Sequence, residues 1–107
     1  MRMENLTFPA AAERLAGALS WGNVLGHLPL SPGYSLLEAA APREMVGKSL
    51  RDSGLRQRYN LQVIGIRQRS PERFDLVPPA DLVIKSGDVL VMIGRDEDLD
   101  RFGKLLG

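Results

Sequence analysis

Residues 86–106, Ser86-Gly87-Asp88-Val89-Leu90-Val91-Met92-Ile93-Gly94-Arg95-Asp96-Glu97-Asp98-Leu99-Asp100-Arg101-Phe102-Gly103-Lys104-Leu105-Leu106, decide the fold class. Ser86-Gly87-Asp88 is a turn, and Val89 to Ile93 follow it without a polar residue. A short run that is apolar throughout predicts a strand buried on both faces rather than a half-exposed one. Gly94 ends it. Acids at 96, 97 and 98 then open a helix whose dipole they complement. Leu99, Phe102, Leu105 and Leu106 form its apolar stripe. A central strand leading directly into an amphipathic helix places the chain among sheet-and-helix folds.

Upstream, Phe74 to Val77 read as a short strand that closes at Pro78-Pro79. Two prolines remove two ladder donors, so this segment belongs at an edge or a bend. Leu82 to Lys85 is a further short extended piece. Arg67 to Arg73 is a polar turn, and Leu61 to Ile66 is a strand by its β-branched content. Leu50 to Tyr59 is predicted helical, with Ser49 and Asp52 imitating a capping box and Gly54 weakening the middle. Tyr34 to Ala40 is a strand ended by Pro42, and Leu30-Ser31-Pro32-Gly33 is a turn. Residues 9–20 are predicted as an Ala-rich helix capped by Thr7. Val24 to Leu28 is predicted as a second helical piece, stopped by Pro29. The expected fold class is α+β: a small mixed β-sheet domain, ordered β-α-β-β-β-α, over residues 31–107, preceded by a helical crossover or linker segment over residues 1–30.

The 107 residues suit one domain. A chain this short buries a modest fraction of its surface, so a partner subunit would add to its stability. It has no cysteine, which excludes disulfides and thiolate metal sites. No apolar run approaches the ~18 residues that a membrane helix needs. Net charge is only +1, but the charge is unevenly spread. Arg43, Lys48, Arg51, Arg56, Arg58, Arg67, Arg69 and Arg73 face only Glu44, Asp52 and Glu72 between positions 43 and 73, a basic centre that would attract an anion.

Catalytic signatures are missing. His27 is the single histidine, and a lone histidine in an apolar stretch is ordinarily structural. No HExxH or paired-histidine pattern exists, so a transition-metal site lacks ligands. Asp96, Glu97, Asp98 and Asp100 lie at a helix start rather than at calcium-loop spacing. Gly47-Lys48-Ser49 resembles the end of a phosphate loop, but Pro42 stands where the first glycine belongs. Basic residues without interleaved aromatics argue against a nucleic-acid polymer as partner. The expectation is therefore no enzyme, no metal and no cofactor.

Taken in order, Gly47-Lys48-Ser49-Leu50, Leu55-Arg56-Gln57-Arg58-Tyr59, Val63-Ile64-Gly65-Ile66-Arg67, Val77-Pro78, Gly87-Asp88-Val89-Leu90 and Ile93-Gly94 resemble the TrkA C-terminal (RCK C-terminal) domain of KtrA/TrkA-type potassium uptake regulators. Phe8-Pro9, Ala12 to Ala16 and Asn23-Val24-Leu25 resemble the crossover segment that precedes it in that family. A dinucleotide-binding Rossmann domain comes first in such proteins, so the chain is expected to be a C-terminal piece of a longer regulator or a short form. The resemblance implies a cytoplasmic, ligand-sensing homodimer that regulates a potassium channel or transporter and reaches the membrane only through that partner. In some relatives this domain binds cyclic di-AMP at the dimer interface. By position the resemblance carries that ligand site onto Arg56, Gln62, Ile64 and Pro78: phosphate pairing by Arg56, base-edge hydrogen bonding by Gln62, and apolar contact by the other two. Gln62 departs from the asparagine of those relatives by one methylene. Two alternatives stand beside this: a purely structural dimerisation module, and a lipoyl- or biotinyl-type carrier suggested by the hairpin-like run Val83 to Leu90, in which Lys85 lacks the expected neighbours.

Overall fold

The computed structural model describes residues 24–69 and 72–106. The helix expected over residues 9–20 lies outside the described residues. Five strands and two helices follow one another: β1 (Val24–Ser31), β2 (Tyr34–Ala40), a 3-10 turn (Arg43–Met45), α1 (Leu55–Tyr59), β3 (Gln62–Arg69), β4 (Glu72–Leu76), β5 (Val89–Arg95) and α2 (Asp96–Gly103). They form one sheet in the order β1-β2-β5-β3-β4, and every pairing is antiparallel.

The apolar run at 89–93 takes the central place its composition predicts. Val89, Leu90, Val91 and Met92 are all buried, with β2 on one side and β3 on the other. On one face Leu90 and Met92 join Leu37, Ala39 and Ile66, and Leu99 and Phe102 of α2 close over them. Leu55, Leu61, Met45 and Ile84 complete the same core. Burial of these side chains is the main stabilising term. On the other face Val91 sits between Glu38 and Gly65 in register, and Arg67 reaches back across to Glu38 at 3.8 Å.

Three expectations need correction. Val24–Leu28 is not helical: it is the first part of β1, paired with β2 through His27↔Leu37 and Leu28↔Leu36. Pro29 sits inside that strand because β1 is an edge, where its missing N–H costs no ladder bond. The helix expected over 50–59 forms only from Leu55. The N–H groups of Leu50 and Arg51 donate instead to the carbonyls of Leu82 and Ala80, both at 2.9 Å. Gly54 then starts α1 with φ of 84°, a conformation glycine adopts freely. Ser49 and Asp52 do make the capping-type bond, Asp52 N–H to Ser49 Oγ at 3.1 Å, but within a turn. Finally, the stretch read as a polar turn at 67–73 is mostly hairpin: Arg67↔Phe74, Gln68↔Arg73 and Arg69↔Glu72 are all in register.

Candidate functional site

The site is built where α1 hands over to β3. Helix α1 is only five residues long and would not hold by itself. It is docked by its far side. Tyr59 meets the Phe102 ring edge-on at 6.1 Å, and the Arg101 guanidinium lies 5.7 Å from the Tyr59 centroid. Arg101 also donates to the Arg58 carbonyl at 3.0 Å and to Asp98 at 2.8 Å. Asn60, at φ 57°, ends the helix in the left-handed region that asparagine tolerates. The chain therefore reverses tightly into β3. That reversal brings Arg56 beside Gln62, whose Oε1 accepts from Arg56 Nη1 at 2.9 Å.

A cleft of about 200 Å³ opens at this junction, lined by Leu50, Arg51, Leu55, Arg56, Gln57, Leu61, Gln62, Val63, Pro78 and Ala80. Its floor is apolar and its rim carries two arginines and no acid. Such a lining favours an anion with an apolar body. Pro78 is delivered to the rim by an unusual residue: Val77 adopts φ of 51°, and its N–H donates to the Ile64 carbonyl at 2.8 Å. A β-branched residue in that region is strained by ~1–2 kcal/mol. The bond to Ile64 is what holds the turn.

Of the four residues assigned by resemblance, Arg56, Gln62 and Pro78 line this one cleft, and Ile64 does not. The register of β3 against β5 shifts between Val63 and Gly65, so Val63 takes the lining position and Ile64 contributes its carbonyl. Arg51, outside those four, also lines the cleft. It belongs to the basic centre of the sequence, and it reaches the cleft because residues 47–51 pair with residues 80–84.

The other motifs resolve as structure. The N–H groups of Gly47 and Lys48 donate to the Ile84 and Met45 carbonyls, so neither faces outward for an anion. Lys85 sits in the turn before β5, where its N–H donates to Asp88 Oδ2 at 2.8 Å. The same Asp88 oxygen accepts from buried Gln68 at 3.3 Å. Among the described residues no group of three or more histidines and acids is arranged to hold a metal ion. Asp96 accepts from Ser35 Oγ at 2.7 Å, which ties the start of α2 to β2. Burial, and then the neighbouring Asp96 carboxylate, push the Asp100 carboxyl above the usual range, against the pull of Lys104. No helix of the described residues is long and apolar enough to cross a membrane.

The TrkA-C domain family model matches residues 26–107. The Ktr system potassium uptake protein C of Bacillus subtilis is 33% identical over 93 residues, 87% of this chain and 41% of that protein. The chain spans about two fifths of the length of the Ktr system potassium uptake proteins C and A of Bacillus subtilis. Among solved structures, the RCK C domain of the potassium transport protein KtrA, in complex with cyclic diadenosine monophosphate, superposes with a TM-score of 0.61 at 34% identity, covering 68% of this chain and 84% of that one. The RCK_C domain dimer of S. agalactiae BusR, in complex with the same nucleotide, shares the fold at 20% identity, with a TM-score of 0.56 over 64% of this chain and 91% of that one. By the match over residues 26–107 and the sheet that carries it, the chain belongs to the TrkA-C domain family, a regulatory domain and not an enzyme.

Proposed function

We propose that the chain is a cytosolic homodimeric sensor domain that binds cyclic di-AMP between two copies and regulates a potassium channel or transporter through that partner. The observation that carries this reading is the acid-free cleft where Arg51, Arg56, Gln62 and Pro78 converge. Its volume, about 200 Å³, is below the ~300–1,000 Å³ of sites that enclose a whole drug-sized ligand. It is suited to half of a two-fold symmetric dinucleotide, with a second copy supplying the other half. Arg56 pairs with a phosphate oxygen by a charge-assisted bond. Val63 and Pro78 give the apolar contact, with Ile64 behind them fixing the Val77 turn. The KtrA domain that was solved with this nucleotide supports the ligand class.

Two exposed apolar residues support the dimer. Leu76 and Val77 are 69% and 73% exposed on the segment that leads into Pro78. Adjacent apolar side chains left open beside a binding cleft mark an interaction surface. Nucleotide held across that surface acts by favouring one arrangement of the two copies over another.

Calorimetric titration of the chain with cyclic di-AMP tests the reading. Saturable heat in the wild type, lost by at least about tenfold in affinity in Arg56→Ala, is expected for removal of a charged hydrogen bond. A well-folded dimer that takes up no nucleotide would leave a structural dimerisation module and overturn the sensor.

A further inference from the structure

We infer that Gln62 acts on the ligand through Arg56, as a positioning residue. The inference rests on the nucleotide reading above and changes what one of its residues does. A glutamine amide offers an acceptor oxygen with two lone pairs and an NH2 with two donors. In Gln62 the oxygen and one of the two N–H donors have partners within the chain: Oε1 accepts from Arg56 Nη1 at 2.9 Å, and Nε2 donates to the Val63 carbonyl at 3.4 Å. The amide therefore bridges the side chain of α1 to the backbone of β3. Arg56 sits on the exposed side of a five-residue helix, and Gln62 is its one side-chain partner among the described residues.

This bridge has two consequences. It removes rotameric freedom from a long cation before ligand arrives, which is the form of preorganisation that raises affinity. It also leaves most of the guanidinium N–H groups open for phosphate. The partner is neutral, so the full charge of Arg56 remains available. A glutamate at 62 would pair with Arg56 and cancel it. Asparagine, one methylene shorter, would not carry its oxygen as far from β3. The glutamine is thus the length and the charge state that this pairing needs.

The test is a double-mutant cycle by calorimetry, with cyclic di-AMP and cyclic di-GMP as probes. Gln62→Ala is expected to weaken cyclic di-AMP binding about threefold to tenfold, the fold-change of one exposed hydrogen bond. Added to Arg56→Ala it should cost nothing further, because it acts through that side chain. The affinity ratio between the two nucleotides should stay unchanged in Gln62→Ala, and Gln62→Glu should bind more weakly than Gln62→Ala with a flatter salt dependence. Additive losses, or a changed nucleotide ratio in Gln62→Ala, would overturn the inference in favour of base reading. A ligand-free arm separates it from the functional reading. Relaxation of the Arg56 Nε–Hε group should report an ordered side chain in the wild type and a mobile one in Gln62→Ala. A mobile Arg56 in the wild type refutes the positioning role. An ordered Arg56 in a chain that binds neither nucleotide supports the positioning role and overturns the nucleotide reading alone.

Discussion

Two glycines in this sheet face the same steric overlap, yet they should respond to alanine unequally. A Cβ at Gly94 would stand 2.5 Å from Leu61 Cδ2, and a Cβ at Gly65 would stand 2.5 Å from Phe74 Cζ. The difference is where the obstructing side chain can go. Leu61 is 2% exposed, part of the core and of the cleft floor. Phe74 is 48% exposed and can swing into solvent, giving up its 5.5 Å contact with Arg67. Overpacking a closed site costs ~1–3 kcal/mol, and glycine replacement returns ~0.4–1 kcal/mol by restricting the unfolded chain. Gly94→Ala should therefore lose about 1–2 kcal/mol net, while Gly65→Ala should stay within about 0.5 kcal/mol of wild type. At ~4–8 °C per kcal/mol for a domain of this size, the first variant melts roughly 5–15 °C lower. Urea unfolding should show a lower midpoint at unchanged slope for Gly94→Ala. Equal losses in the two variants, or a neutral Gly94→Ala, would refute the argument that burial of the obstructing side chain sets the cost.

Asp88→Ala leaves the Lys85 N–H and the buried Gln68 amide without their shared acceptor, so chemical denaturation should report a loss of about 2–3 kcal/mol. Asp100 titrates above the usual carboxylate range in the folded chain, so the folded state binds the proton more readily than the unfolded one. Stability should then fall as pH rises from the ordinary carboxylate value through the raised one, and the penalty should persist at neutral pH. Asp100→Asn is expected to melt higher than wild type at pH 7, with the gap narrowing in acid. Leu76→Asp should shift the chain from dimer to monomer in light scattering without lowering the helical circular dichroism signal, because Leu76 lies outside the core.

Some of this architecture is legible residue by residue. The run Val89 to Ile93 and the acids after it fix β5 and α2, because a five-residue apolar segment and an amphipathic helix with an acidic first turn are both local signals. Pro78-Pro79 places the preceding strand at an edge for a similarly local reason. β1 is not legible in this way. Gly26, His27 and Pro29 break any strand pattern, and the segment is extended only because β2 offers it a partner and an edge position. The shortened α1 has the same kind of cause: residues 47–51 pair with residues 80–84, a contact some thirty positions away that no window of sequence contains. Of the four residues the resemblance assigns, Arg56, Gln62 and Pro78 lie together on one cleft in the fold. The shift between Val63 and Gly65 that turns Ile64 away, and the Arg56–Gln62 bond across a left-handed cap, exist only in the folded backbone.

In the proposed dimer, one nucleotide is shared between two copies of this chain at the Arg56 cleft. Sedimentation equilibrium with absorbance of the bound adenines measures mass and stoichiometry together. A dimer that saturates at one cyclic di-AMP for every two chains is expected. Saturation at one nucleotide per chain, or a monomer that binds equally well, would contradict it.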